Sequence, residues 1–178
     1  MSHPDGGRRQ LYFEAGCTPG GGHSQPSIKI TSASATPAAG DWRQWRFTAG
    51  TNQALTQLGH VVIEYGSGVA IESASPVINN TAINHHSGPA ISMDLASSPV
   101  GTGNTANGNS LNAINVPAGT IRTQVVWGIV GIPYLVQQGL VHIGQAPLAL
   151  EPAKLKLSPG VVAMLRVSLT HQPPQAAR

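Results

Sequence analysis

The chain has 178 residues, of which only 10 are basic and 7 acidic, giving a net charge of +3 and a charged fraction of 10% against roughly 25% in an ordinary soluble domain. The 21 Gly and 14 Pro spread along it exclude a long helical bundle, since each costs ~1 or ~3 kcal/mol in a helix interior, and no three-residue glycine period points to collagen. Cys17 is the single cysteine and excludes an internal disulfide framework. The basic residues are scattered from Arg8 to Arg178 rather than clustered as in a nucleic-acid binder.

Residues 1–8 read as an arm, Arg9-Gln-Leu-Tyr-Phe-Glu14 as a strand, and Gly16 to His23 as a Gly-rich hinge, an arrangement able to reach a neighbour. The start has no apolar stretch of the kind a secretory signal needs. A β-rich domain is expected over 24–170 and a polar tail over 171–178. Ser27 to Thr31 alternates, and Trp45 and Phe47 share one face opposite Arg46 and Thr48. Thr51 to Gly59 is the one helix candidate, with Thr51 as cap and Gly59 as stop. His60 to Tyr65 and Val69 to Glu72 flank Gly66-Ser-Gly68, which predicts a hairpin. Ile91, Met93 and Leu95 alternate with Ser92 and Asp94.

Residues 97–110 are polar, uncharged and rich in Gly and Asn, and read as a long exposed loop. Leu111 to Val116 and Thr120 to Trp127 resume strand character. Val125 to Val136 is continuously apolar, either one strand buried on both faces or two broken near Gly131. At 12 residues it is too short for the ~20 that span a bilayer. Ala153 to Leu157, Ser158-Pro-Gly160 and Val161 to Leu169 predict a second hairpin. No internal repeat stands out. About eight to ten strands separated by turn signals predict an all-β fold, an antiparallel β-sandwich or jelly-roll-like domain with a flexible N-terminal arm.

The chemistry is sparse. His85-His86 is the candidate metal pair, with His60 or His142 as further ligands, but neighbours on a strand point to opposite faces, so turn polarity is the reading taken. Cys17 has nothing near it to lower a thiol pKa except His23. Glu64 and Glu72 are the nearest acidic pair and would need one cleft to act as a glycosidase. Asp41 and Asp94 have no evident partner. Gly66-Ser-Gly68 lacks the frame of a nucleophile elbow, and Gly101 to Gly108 lacks the Lys-Ser/Thr of a phosphate loop. Trp42, Arg43, Trp45 and Arg46 mix cations with aromatics; a strand with Trp45 and Phe47 in the core is the simpler account. No catalytic residue, cofactor or metal is assigned.

The arm 1–23, the uncharged loop 97–110 and the Lys154-to-Val162 segment resemble accessory structural proteins of tailed bacteriophages, such as capsid decoration or cement proteins, head fibres and tail or baseplate proteins. The resemblance implies a non-enzymatic virion protein assembled in a host cytoplasm. Its partners would be copies of itself and a major capsid or other virion protein, with no membrane and no nucleic acid. Candidate contacts are Leu11, Tyr12 and Phe13 in the arm, Asn104 and Asn107 in the loop, and Trp127 and Tyr134 in the apolar run. The alternative is a carbohydrate- or receptor-binding module using Trp42, Trp45, Trp127 or Tyr134 as stacking platforms. The missing charges favour assembly. Residues 95–121 and 123–150 contain none, interrupted only by Arg122, whereas a free surface is normally kept charged.

Overall fold

The computed structural model describes residues 12–16, 27–50, 56–143, 148–150, 154–159 and 162–165. In chain order the strands are β1 (Tyr12–Gly16), β2 (Ser27–Thr31), β3 (Trp45–Thr48), β4 (Gln57–Gly59), β5 (Val61–Glu64), β6 (Val69–Glu72), β7 (Val77–Asn79), β8 (Ala82–Asn84), β9 (Pro89–Met93) and β10 (Val100–Gly101). They continue as β11 (Thr105–Asn107), β12 (Leu111–Val116), β13 (Gly119–Ile121), β14 (Val125–Ile129), β15 (Tyr134–Val136), β16 (Leu140–Ile143), β17 (Leu148–Leu150), β18 (Leu155–Leu157) and β19 (Val162–Leu165).

Strands that follow one another in the chain mostly fall in different sheets, and strands a coil apart stack. Sheet A has the order β1-β2-β5-β8-β11, sheet B β3-β6-β9-β12-β15-β18, sheet C β4-β7-β10-β14-β17 and sheet D β13-β16-β19. β1 lies antiparallel on β2 at the start of sheet A; the remaining pairings among the described residues are parallel. The chain therefore winds as a parallel β-solenoid, each turn of which passes through the sheets in order. The first coil holds β2 to β4, the second β5 to β7, the third β8 to β10, the fourth β11 to β14, the fifth β15 to β17, and the sixth β18 and β19.

This overturns the expected antiparallel β-sandwich or jelly roll. Clean in-out alternation usually marks antiparallel sheets, because parallel ones are normally covered on both faces. In a solenoid one face of each parallel sheet turns inward and the other meets solvent, so the same alternation arises. Inward residues form columns along the axis: Ile30, Ile63 and Ile83 in sheet A, Phe47, Ile71 and Met93 in sheet B, Leu58 and Ile78 in sheet C, all buried. Each such aliphatic side chain contributes about 1.5–3 kcal/mol on burial. Column partners supply each other's contact surface, so no coil is stable alone.

Both expected hairpins fail for one reason: their turns bend the chain around a corner without reversing it. β5 and β6 lie in sheets A and B, with Tyr65 at φ 64° starting the corner. β18 stacks under β15 in sheet B and β19 under β16 in sheet D. The helix expected at 51–59 is replaced at its described end by β4, where Leu58 packs inward beside Ile78; residues 51–55 lie outside the described residues. The loop expected at 97–110 is most of one turn of the solenoid, containing β10 and β11 with Ser97 and Asn104 buried. Of the two options for 125–136, the pair of strands broken near Gly131 is observed, β14 and β15, with Gly131 at φ 100°.

Corners are fixed by side chains that take up backbone groups. Asp94 accepts from Ser73 N and Oγ at 2.8 and 2.9 Å, from Ala96 N at 3.1 Å and from Ser97 Oγ at 2.6 Å. Burial opposes its charge, yet these four donors outweigh it and hold the carboxyl below the usual aspartate range. Asp41 likewise accepts from Ser32 Oγ and Ala38 N. The two aspartates without evident partners in the sequence are thus turn clamps.

Candidate interaction surface

The residues proposed from sequence divide sharply by depth. Trp127 and Tyr134 are buried and stack with ring centroids 5.4 Å apart and planes 11° off parallel. Ile129 N donates to Tyr134 Oη at 3.1 Å, and burial pushes that hydroxyl's pKa up to about 12. Asn104 is also buried: its Oδ1 accepts from Thr81 N at 3.1 Å and its Nδ2 donates to Ile78 O at 2.7 Å. These three expected contact residues therefore belong to the interior, where apolar columns and backbone amides claim them. Asn107 is exposed on β11. Tyr12 and Phe13 lie in β1 opposite Thr31 and Ile30 of the same chain, and Leu11 is outside the described residues, as are Cys17 and His23.

Trp42 is buried, its indole N–H donating to Glu64 O at 2.9 Å, and Trp45 is half-buried against Phe47. Arg46 pairs with Glu72 on the next coil of sheet B, and Lys29 with Glu64 across sheet A. Glu64 and Glu72 consequently face different sheets and different cations, not one cleft. Among the described residues no group of three or more His, Cys, Asp or Glu could hold a metal.

His85 and His86 do point apart. His85 is exposed and stacks on Tyr65 at 5.4 Å. His86 is buried, accepts Gly66 N–H on Nδ1 at 2.9 Å, and meets the Trp42 ring edge-on at 5.9 Å. The Nδ1 lone pair is thus in use, and Nε2 is buried without a partner. Burial lowers the His86 pKa below the ordinary imidazole value, against the opposing effect of the nearby Gly66 and Ile63 backbone and, more weakly, of the Glu64 charge. The neutral ring ties the first three coils together at the corner between sheets A and B.

No sequence pattern pointed to the place where the cross-section changes. Among the described residues sheet A stops at β11, while sheets B and C continue and sheet D begins with β13. After β14 the chain takes a short cut: Val130 N donates to Gly101 O and Ile114 N donates to Pro133 O, each at 2.8 Å, so residues 130–133 span a stretch that the coil above covers with β11 and both its corners. Ile132, buried within this short cut, belongs to the core, and Gly131 passes so close to Asn104 that a Cβ would lie 2.0 Å from its carbonyl oxygen. β11 is left as an overhanging edge with Thr105 and Asn107 exposed. Beside the short cut is a cavity of about 350 Å³ lined by Val130, Gly131, Ile132, Pro133, Lys154 and Lys156.

The two charge-free stretches fall on the fourth and fifth coils and the end of the third. Their exposed positions include Ser110, Asn112, Pro117, Ala118, Thr123, Gln124, Gln137 and Gln138. Comparison with protein-family models, curated proteins and solved structures finds no match for this chain.

Proposed function

We propose that the protein is a non-enzymatic structural component of a symmetric assembly, in which a rigid solenoid buries its uncharged coils against copies of itself or a partner. The observation that carries this is the nearly charge-free outer surface of the fourth and fifth coils, where Arg122 is the one charge from residue 95 to residue 150. Stacked coils disfavour like charges in one column, but that alone does not explain the gap. The first coils accommodate charge by pairing it across neighbouring turns, as Lys29 does with Glu64 and Arg46 with Glu72. The later coils do without even such pairs, as suits a surface that is covered. A virion, with a major capsid protein as partner, is the narrower form of this proposal. The glycan-binding alternative keeps only Trp45 as a partly open ring and is not favoured.

Light scattering on size-fractionated protein tests the proposal. A defined oligomer is expected, and the triple variant Asn112→Glu, Thr123→Glu, Gln137→Glu should dissociate while keeping its β-sheet circular dichroism. Unchanged assembly in that variant would refute the role given to the neutral coils.

A further inference from the structure

We propose that the free edge of β11 and the lysine-flanked cavity beside the 130–133 short cut, whose Gly131 lies against Asn104, form a docking site for an extended segment of a partner protein that carries carboxylates. The segment would add to sheet A as its missing next strand. This deepens the assembly proposal by naming the chemistry of a partner, and it rests on that proposal.

The edge follows from the hydrogen-bond pattern. Thr105 N donates to Thr81 O at 3.0 Å and Asn107 O accepts from His85 N at 3.0 Å, so both residues direct their backbone groups at the coil above. In a parallel ladder successive residues alternate sides. The N–H and C=O of Ala106 therefore point to the side where sheet A has no further strand among the described residues. An incoming strand would lie ~4.8 Å below β11, level with the 130–133 short cut. Such strand addition draws affinity from main-chain bonds and specificity from flanking pockets.

The flanking pocket supplies the specificity. Its lining combines the apolar Val130, Ile132 and Pro133 with Lys154 and Lys156. These lysines lie two apart on β18 and its leading residue, and both are exposed. The ion pairs among the described residues are Lys29–Glu64 and Arg46–Glu72, remote from this cavity, and residues 123–150 bring no carboxylate to it. An apolar side chain followed by an acidic one fits this arrangement; a basic segment does not.

The test uses the full chain and short acetylated peptides of alternating Val and Glu, Val and Gln, or Val and Lys. The Val/Glu peptide should shift the backbone amide resonances of Ala106, Asn107 and Gly131 and slow hydrogen exchange at Ala106. It should bind about tenfold more tightly than the Val/Gln peptide, as charge-assisted contacts imply, and the Lys154→Glu, Lys156→Glu variant should lose that preference. Equal binding of Val/Glu and Val/Lys peptides, a preference that survives the lysine reversal, or an Ala106 amide already protected in the free chain would each overturn the proposal. None of these readouts involves the oligomeric mass that tests the neutral coils, so the two can fail separately.

Discussion

Replacing Asn104 with alanine should destabilise the solenoid strongly, although the sequence places this residue in a surface loop. The side chain is buried and bridges two backbone groups of the coil above, accepting from Thr81 N at 3.1 Å and donating to Ile78 O at 2.7 Å. Truncation leaves both without partners. A buried backbone group stranded in this way costs about 1–3 kcal/mol, so the pair should cost roughly 2–6 kcal/mol. With a urea m-value of about 2–3 kcal/mol/M, the unfolding midpoint should fall by roughly 1–3 M at unchanged m. Asn104→Asp is the sharper control: it keeps an acceptor for Thr81 N but sets a carboxylate against Ile78 O. It should be at least as damaging as alanine at neutral pH, and should recover on acidification, when the protonated acid can donate to that carbonyl. A midpoint shift worth less than about 0.5 kcal/mol for Asn104→Ala, well under the cost of one stranded group, would refute the bridging role.

Two further outcomes follow from the corners. His86 is held neutral, so the unfolded chain takes up a proton that the folded chain excludes. Stability should be full above the unfolded imidazole value of about 6.5 and decline as pH falls through it towards the lowered folded value, with a slope up to about 1.4 kcal/mol per pH unit. Urea midpoints measured against pH should show this for the native chain and not for His86→Gln; coincident curves would contradict it. The loss due to Asp94, whose pKa is depressed, begins only as pH falls below about 3.9 and is separable. Gly131→Ala should lower the melting temperature sharply, since φ is 100° and the new Cβ would strike Asn104 O. Gly59→Ala, with open space around its Cβ, should stay within about 0.5 kcal/mol.

The longer alternating strands were legible in the sequence because they depend on local alternation, whereas β4 read as a helix and β10 and β11 as a loop. Ile91 and Met93 turn inward and Ser92 outward as expected, and Phe47 is buried with Arg46 outside. The direction in which each strand pairs was not legible, because a corner and a reversal use the same Gly, Asn and Ser residues. The signal that could have separated them is a repeat. Ser75-Pro-Val and Ser98-Pro-Val begin segments in which Asn80 is matched by Gly103 and His85 by Gly108, all with positive φ. Unequal coil lengths obscure it: partners advance by 20 residues from Val62 to Ala82 and by 23 from Ala82 to Thr105. The candidate site was harder still. Asn104 was read as part of an exposed loop and Trp127 and Tyr134 as exposable rings of an apolar run, yet the solenoid interior takes all three, Asn104 on backbone partners and the two rings on each other. The β11 edge arises where sheet A has no further strand among the described residues, and such a gap leaves no local pattern.

The gain of sheet D and the loss of sheet A part-way along the axis have a consequence for how such a molecule can grow or shrink. In a uniform solenoid any repeat can be duplicated or deleted, because each interface matches the next. Here the second and third coils share one outline, running from β5 to β7 and from β8 to β10, whereas the fourth adds β13 to that outline and the fifth, from β15 to β17, lacks sheet A. Duplication by whole coils is therefore confined to the early part, and a deletion spanning the changeover would join two outlines that do not fit. The molecule is keyed at its middle, with a length and a polarity that its later coils cannot surrender.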